Sequence, residues 1–387
     1  MKKAYFFIGG GLIISILVGF WLYSFLYGSP TNSASIFTNL GIFGQDNSVP
    51  FETPSPVDEG TPYVDTTTNQ LRQLTTKPVV GMRILTTEET KLMRYVEAGT
   101  GHVFDIDLTT GEETRVSQIS VPVASEAVIS PSGDYVAIRS GYNNQNDLVL
   151  VDLTNDTNPS STLLPNQVES FAFGYNNELL FTEFSLGQTE GKGYLPSTKS
   201  TRRLFTAPFT AHEMAWSNSS SSNHVIFTKP AATMIGYGYD ITAGGLRRLP
   251  TSGYGLTINQ SNGGRFVGQR SDNSYITTLT TRTGEIVTPA AVTIPDKCIA
   301  TSFGDRIGYC ASPAELQNGE FPDTWYKGEL VLSDYIWRIN KESVTLLADP
   351  LRDLGRSLDI TQLSLSPDEE MLYFINKTDK TLWLYEI

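Results

Sequence analysis

The hydrophobic residues of this chain follow two different patterns. Ala4 to Tyr27 is a stretch of about 24 residues without a charge, enough to cross the roughly 30 Å of hydrocarbon in a membrane. After Leu71, short apolar stretches alternate with polar residues, and turn residues return about every 8 to 12 positions. The chain therefore predicts one N-terminal transmembrane helix followed by antiparallel β-structure.

The β-structure is repetitive. An apolar strand, a polar turn and a second apolar strand recur seven times, as in "AVISPSGDYVAIRS" and "SLSPDEEMLYFIN". The residues that enter the turns are Ile84, Ile129, Phe173, Trp216, Ile258, Phe303 and Leu365. They are separated by 45, 44, 43, 42, 45 and 62 residues, and further strands follow each turn. Four strands in about 40 to 45 residues are typical of one propeller blade, so we predict an all-β, seven-bladed propeller with four-stranded antiparallel blades over residues 71–387.

The seventh blade needs a strand from elsewhere in the chain. The segment "TLWLYEI" supplies only the third strand of that blade. The segment "LRQLT", Leu71 to Thr75, resembles "LRRLP", the fourth strand of the fourth blade. Because an open array of blades leaves unpaired sheet edges, we expect Leu71–Thr75 to complete the seventh blade and close the ring.

The turn sequences carry a family resemblance. "SPSGDYVAIRS" and "SPDEEMLYFI" resemble the Ser-Pro-Asp-Gly repeat of TolB-like propellers, which are relatives of the WD-repeat fold. The whole chain is also similar to single-pass, membrane-anchored propeller proteins of candidate-phyla bacteria. The resemblance implies that Ser130 and Ser366 bond local backbone and that Gly133 supplies a turn conformation. Glu369 departs from the usual glycine, which leaves the type of that turn open.

The basic residues predict the orientation in the membrane. Lys2 and Lys3 precede the apolar span, and the next basic residue is Arg72. By the positive-inside rule the N-terminus is cytoplasmic and the propeller extracytoplasmic. A cleaved signal peptide is the alternative, but the span exceeds the roughly 7 to 15 residues of a signal core and no A-x-A site follows it. We therefore divide the chain into the anchor (1–27), a Ser/Thr/Pro-rich tether (28–70) and the propeller (71–387).

Two features of the N-terminal region suggest contacts. Gly11, Ser15 and Gly19 lie on one face of the expected helix, a small-xxx-small pattern that would allow homo-oligomers to form through the membrane. The alternative is that glycine is simply frequent in membrane helices. In the tether, the apolar segment from Ser35 to Gly44 could pack on the propeller, on a partner or on the membrane surface.

Charge and chemistry narrow the function further. The net charge of -13 makes nucleic-acid binding unfavourable. The three histidines, His102, His212 and His224, lie outside any zinc-binding spacing, and no G-x-S-x-G elbow occurs. "DIDLTTGEE" has some likeness to a calcium loop, but its alternation favours a strand. We therefore expect no catalytic residue, metal or cofactor, and no enzymatic activity.

The 62-residue interval marks an insertion in blade 6. The extra residues, Ser312 to Glu329, lie between its second and third strands and include Phe321, Trp325 and Tyr326. Aromatic residues on a propeller face are suited to partner binding. The alternative is a loop that packs its aromatic rings over the blade or the channel. A second insertion, Ser185 to Arg202 in blade 3, is more flexible in composition.

The two cysteines flank one turn. Cys298 and Cys310 lie six residues on either side of Gly304, in a predicted hairpin. This symmetry places them on paired strands with their side chains on one face. Outside the reducing cytoplasm we expect a disulfide, and the alternative is a pair of small buried hydrophobic residues.

These observations lead to one expected function and one alternative. We expect a membrane-tethered, extracytoplasmic propeller that acts as a protein-binding or scaffold module in the cell envelope, with envelope proteins as partners. The alternative is an envelope glycan or peptide hydrolase or lyase that uses the propeller channel. An acidic cluster or a metal site in the channel would favour the enzyme.

Overall fold

The structure is a computed structural model that describes residues 70–387, except 88–89, 142–146, 156–157, 165–166, 218–222, 272–273, 291–292, 303–305, 314–319 and 342. The described residues form seven four-stranded antiparallel sheets. Each sheet is one blade of a β-propeller. The predicted all-β, seven-bladed fold is confirmed.

The first three blades are regular. Blade 1 comprises β2 to β5: Val79–Thr86, Lys91–Glu97, Val103–Asp107 and Glu113–Arg115. Blade 2 comprises β6 to β9: Ala124–Ile129, Tyr135–Ser140, Asp147–Asp152 and Ser160–Leu163. Blade 3 comprises β10 to β13: Val168–Phe173, Leu179–Ser185, Gln188–Leu195 and Ser200–Ala207.

The other four blades include the short helices. Blade 4 comprises β14 to β17: His212–Ala215, Val225–Thr228, Ile235–Thr242 and Gly245–Tyr254. Blade 5 comprises β18 to β21: Thr257–Ser261, Gly264–Ser271, Ser274–Thr281 and Ile286–Val287. Blade 6 comprises β22 to β25: Cys298–Ala300, Arg306–Pro313, Asp334–Asn340 and Val344–Ala348. A 3-10 helix, Pro295–Lys297, precedes it, and helix α1, Asp323–Tyr326, lies between β23 and β24. Blade 7 comprises β26 to β28 and β1: Ile360–Leu365, Met371–Asn376, Leu382–Glu386 and Leu71–Gln73. Helix α2, Pro350–Leu354, precedes β26.

The N-terminal strand closes the ring. Strand β1 pairs antiparallel with β28, with Leu71 opposite Tyr385 and Gln73 opposite Trp383. The Leu74 backbone N–H extends the pairing by donating to the Leu382 carbonyl at 2.8 Å. The expectation that Leu71–Thr75 completes the seventh blade is therefore confirmed.

The hydrophobic core lies between the blades. Tyr309 and Ile336 of blade 6, for example, pack against Phe374 and Trp383 of blade 7. Each sheet buries the apolar residues of both faces against its neighbours, which is why the strands carry few charges. The core is thus a set of interfaces that holds the ring together.

The two turns with the strongest family resemblance have the same hydrogen bonds. In blade 2 the Tyr135 N–H donates to Ser130 Oγ at 3.0 Å, and in blade 7 the Met371 N–H donates to Ser366 Oγ at 3.0 Å. Gly133 has a φ of 85°, in the left-handed region that favours glycine. Glu369 has a φ of 57°, so a residue with a side chain adopts the same backbone handedness in blade 7.

The second predicted insertion is wrong. Residues 185–202 include all of β12 and the start of β13, the third and fourth strands of blade 3. Glycines conceal the apolar alternation in this region. A Cβ at Gly191 would lie 1.9 Å from a ring carbon of Phe205, so the glycine leaves room for a large side chain on the paired strand.

The predicted anchor and tether, including Gly11, Ser15, Gly19 and the segment from Ser35 to Gly44, lie outside the described residues and stay predictions. Among the residues that the structure does describe, no helix is long and apolar enough to cross a membrane.

Candidate functional site

The first strand of each blade borders the central channel. First strands of neighbouring blades contact one another, as β2 does with β6 and β18 with β22, which happens only where the blades converge. The antiparallel order places the start of each first strand at the same end of the ring as the connection between the second and third strands. We call this end the insertion face, because β23 ends and β24 begins there, and the blade 6 insertion joins these two strands.

The described part of the insertion extends across several blades. The Phe321 ring packs edge-on against Tyr275 of blade 5, with the ring centres 5.1 Å apart. Asp323 Oδ1 accepts a hydrogen bond from the Ala232 backbone N–H of blade 4 at 2.8 Å. Trp325 packs with the same apolar cluster as Phe321. The insertion of blade 6 therefore covers part of the insertion face of blades 4 and 5.

A buried ion cluster lies beneath the insertion. Lys297 Nζ donates to Asp334 Oδ2 at 2.5 Å and to Asp359 Oδ1 at 2.6 Å, and all three side chains are at most 1% exposed. Burial raises the pKa of Asp334 to about 6, while Lys297 opposes this shift and the negative charge of Asp359 adds to it. Asp334 Oδ1 has no hydrogen-bond partner in the described part of the chain.

Trp325 joins the insertion to this cluster. Its indole N–H donates to both carboxylate oxygens of Asp359, at 2.9 and 3.1 Å. Lys297 Nζ lies 5.0 Å and Lys377 Nζ 4.3 Å from the Trp325 ring centre, in cation–π geometry. Lys377 also donates to the Trp325 carbonyl. The cluster thus holds the insertion in one position over blades 6 and 7.

Several carboxylates lie on, or just before, first strands that border the channel. Glu126 lies on β6, Glu169 on β10 and Glu213 on β14, and Asp296 lies in the 3-10 helix before β22. Burial is the main cause that raises the pKa of Glu213, and Lys229 opposes it. The negative charges of Asp296, Glu126 and Glu169 raise it further. The charges of Asp296, Glu126 and Glu169 thus act on the Glu213 carboxyl group, and we call these four residues the acidic cluster.

The Glu213 carboxyl group, like that of Glu169 and unlike those of Glu126 and Asp296, has no direct partner among the described residues. Glu126 accepts a hydrogen bond from Arg139 Nε at 2.9 Å. The Glu213 carboxyl group accepts no hydrogen bond from any residue that the structure describes, and it is partly exposed. A carboxyl group in this position is available to a ligand.

Tyr326 faces the acidic cluster from the insertion. Its hydroxyl donates to Asp296 Oδ2 at 2.5 Å. Burial raises the pKa of Asp296, and the hydrogen bond from Tyr326 and the charge of Lys297 offset this only in part. Burial also raises the pKa of Tyr326, and Asp296, Tyr275 and Glu213 add to that rise. Tyr326 is 42% exposed, so its side chain is accessible to solvent.

This arrangement is suited to proton transfer. A carboxyl group with a raised pKa can hold a proton nearer neutral pH and donate it to a leaving group. Glu213 and Asp296 both have raised pKa values, and the Tyr326 hydroxyl is hydrogen-bonded to one of them. No group of three or more His, Cys, Asp or Glu side chains within the described ranges is placed to hold a metal ion, so we derive no step through a metal.

The structure separates the three aromatic residues of the predicted partner-binding loop. Phe321 and Trp325 are 5% and 3% exposed, whereas Tyr326 is 42% exposed. Two of the three rings therefore pack onto the blades, as the alternative interpretation expected. The role of this loop in partner binding stays a prediction, and in this conformation Tyr326 is the ring available for it.

The predicted disulfide is confirmed. Cys298 and Cys310 are directly opposite each other on β22 and β23, and their sulfur atoms are 2.02 Å apart. The bond lies among the buried residues between blades 5 and 6, near the 3-10 helix that carries Asp296 and Lys297.

Sequence analysis missed the residues of the acidic cluster and of the ion cluster. None of the residues Glu213, Lys297, Asp334 and Asp359 was singled out from the sequence. One signal was present in the sequence: Asp334 begins an apolar strand, and Asp359 directly precedes one. Charges at such positions are either at the surface or paired, and the sequence does not distinguish the two.

Comparisons with known proteins support the fold. No protein-family model and no curated protein matches the chain. An oligogalacturonate lyase in complex with manganese matches with a TM-score of 0.56 and 11% identity, over 84% of this chain and 94% of that one. The oligogalacturonate lyase of Vibrio parahaemolyticus matches with a TM-score of 0.56 and 10% identity, over 84% and 95%. Virginiamycin B lyase from Staphylococcus aureus matches with a TM-score of 0.52 and 14% identity, over 82% and 98%.

These similarities correct the expectation that the protein is not an enzyme. The similar structures are named lyases, so propellers of this shape do carry catalysis. At 10 to 14% identity the likeness shows the fold alone and transfers no substrate. The exclusion was wrong because it relied on local sequence motifs, whereas a propeller can assemble a site from side chains of several blades.

Proposed function

We propose that the protein is a cell-envelope hydrolase or lyase whose active site is the channel mouth on the insertion face. The observation that carries this proposal is the hydrogen bond from Tyr326 to Asp296, together with the influence of the Asp296 charge on the raised pKa of Glu213. Glu213 acts as the proton donor to the leaving group. Asp296, with Tyr326, accepts the proton of the attacking water or of the substrate carbon.

The charge of the site limits the substrate. Glu126 and Glu169 add negative potential to that of Glu213. Such a site attracts cationic or neutral groups and repels polyanions. The proposed substrates are therefore uncharged or amino-substituted envelope glycans, or peptides with basic residues.

The test is a cleavage assay on the full-length protein in detergent. Neutral, amino-substituted and anionic glycans and basic peptides are incubated with it, and mass spectrometry detects the products. We expect Glu213→Gln and Asp296→Asn to lower the cleavage rate about 100-fold or more without lowering the melting temperature. Glu112→Gln, an exposed carboxylate on the β4–β5 turn, is the matched control. Cleavage of none of these classes, or full activity of both channel variants, would refute the proposal.

The location belongs to the same proposal. The charge-free span from Ala4 to Tyr27, with Lys2 and Lys3 before it, supports an anchor in the cell membrane with the propeller outside. Labelling of a cysteine introduced at the exposed position Ser125 by an impermeant reagent, in intact cells, tests this orientation. Labelling only after lysis would show that the propeller faces the cytoplasm.

A second candidate function, binding of envelope proteins, has separate support. Met234, Ile235 and Tyr254 of blade 4 are 68%, 47% and 47% exposed, and the last two are paired on neighbouring strands. Adjacent exposed apolar residues often mark interaction surfaces. Crosslinked partners should be lost from Met234→Ser/Tyr254→Ser and retained by Leu163→Ser, whose position is 61% exposed on blade 2.

A further inference from the structure

Three polar side chains form a chain of contacts on blade 1. Ser120 Oγ lies 2.8 Å from His102 Nε2. His102 Nδ1 lies 3.6 Å from Glu97 Oε2. With the imidazole proton on Nδ1, facing Glu97, the lone pair of Nε2 accepts the hydrogen bond of the serine hydroxyl. A nucleophile, a base and a group that orients the base therefore follow one another in order.

The local fold explains why these residues meet. His102 follows the β3–β4 turn, and Ser120 lies in the connection between β5 and β6. Gly101 has a φ of 67°, and a Cβ there would lie 2.7 Å from the Val121 Cβ. The connection can approach the turn because this position is glycine, and the Val121 N–H then donates to the Thr100 carbonyl at 2.8 Å.

The charges around His102 favour a neutral imidazole. Burial lowers the pKa of His102, and the positive charges of Arg115 and Lys77 lower it further, while Glu97 opposes them. Burial acts to raise the pKa of Glu97, but hydrogen bonds from Thr100 and Lys77 outweigh it, so this pKa is lowered. A neutral imidazole beside an ionised carboxylate is the form that can take a proton from serine.

The nucleophile is also accessible. Ser120 is exposed, whereas the side chains of His102 and Glu97 are 20% and 11% exposed. The Ser120 backbone N–H has no acceptor among the described residues, so it can donate to an oxygen atom bound beside the hydroxyl. The charges of Lys77 and Arg115 favour the negative charge that develops on such an oxygen.

We propose that Ser120, His102 and Glu97 form a nucleophilic serine site that hydrolyses surface-accessible carboxylic esters, separate from the channel mouth. Ser120 Oγ attacks the acyl carbon while its proton passes to His102 Nε2. The carbon–oxygen bond to the alcohol then breaks, and the alcohol leaves with that proton. A water molecule, deprotonated by His102, releases the acid and regenerates the serine. Glu97 is a positioning residue that holds the imidazole.

The first experiment is labelling of the full-length protein with a fluorophosphonate, followed by peptide mass spectrometry. The expected result is a phosphonyl adduct on Ser120 that is absent from Ser120→Ala and reduced at least 100-fold in rate in His102→Gln. Ser125→Ala, an exposed serine five residues away without a histidine, should label as the parent does. No adduct on Ser120 in the folded protein, or an unchanged rate in His102→Gln, would overturn the proposal.

The second experiment measures hydrolysis of p-nitrophenyl acetate against pH. The rate should rise with deprotonation of His102 and reach half its maximum below pH 6.5, because the pKa of His102 is lowered from 6.5. Glu97→Gln should lower kcat about tenfold with little change in KM, and it should move the midpoint of the pH profile to a lower value. A Ser120→Ala variant that hydrolyses the ester at the parental rate would refute the site.

Discussion

Blade 2 and blade 6 have the same strand order but bury different side chains. Blade 2 fills its interface with blade 1 with aliphatic residues such as Val136, Ile138 and Val151. The region of blade 6 buries Lys297 and Asp334 as well, carries the disulfide and supports the insertion. Burying charges costs solvation energy that an aliphatic interface does not lose. Because blade 2 shows that a blade forms without them, the charges of blade 6 are best explained by the insertion that they hold.

The largest effect is expected when the ion cluster is broken. Lys297→Met leaves two carboxylates buried without their cation, so we expect the free energy of unfolding to fall by about 3–5 kcal/mol. Denaturant titration measures this. Lys327→Met, at an exposed position beside α1, is the control and should change stability by about 0.5 kcal/mol or less. A loss below about 1 kcal/mol in Lys297→Met would remove the distinction between the two blades.

Reduction of the disulfide should have the next largest effect. The bond between Cys298 and Cys310 closes a loop of 12 residues. Loop-closure entropy for that length corresponds to about 2–3 kcal/mol. Unfolding curves of the parent with and without reductant, compared with those of Cys298→Ala/Cys310→Ala, measure the contribution. If reductant shifts the curve of the double variant as much as that of the parent, the effect does not come from this bond.

The raised pKa of Asp334 predicts that this group makes the stability of the protein depend on pH, and no aspartate in the described part of blade 2 is buried in this way. The pKa is 3.8 for an ordinary aspartate and about 6 in the folded protein, so between these values the folded state holds a proton that the unfolded state lacks. Stability from this group is complete below about pH 4 and is lost as the pH rises through 6. Relative to Asp334→Asn, the parent should gain about 2 kcal/mol between pH 7.5 and 4.5. Parallel stability curves for the two proteins would contradict the assignment.

The smallest effect is expected in blade 2 itself. Gly133→Ala places a side chain at a φ of 85°, with its Cβ 2.6 Å from Leu85 Cδ1. We expect a loss of about 1–2 kcal/mol and unchanged catalytic rates, because this turn only shapes the backbone. Thermal melting and the cleavage assay together measure it. A change in rate without a change in melting would assign function to the regular blades as well.

The sequence predicted the features that depend on local periodicity. Seven turns at nearly constant spacing fixed the number of blades, and symmetry about Gly304 placed Cys298 opposite Cys310. The sites depend on long-range geometry. Lys297 meets an aspartate 62 residues away, and the charge of Asp296 acts on Glu213 from a different blade. The spacing of these residues does not repeat along the sequence. The fold could therefore be predicted from the sequence, whereas the candidate sites could not.

The pairing of β1 with β28 also has a consequence for biosynthesis. Leu71 is made first and Tyr385, its partner, last, with about 300 residues between them. At about 5–20 residues per second, β1 waits roughly 15–60 s for its neighbour. During that time six blades can form in order of synthesis, while the seventh has only its outer strand, β1, and lacks β26 to β28. The channel mouth can therefore be enclosed on all sides only after β26 to β28 have been synthesised and have paired with β1.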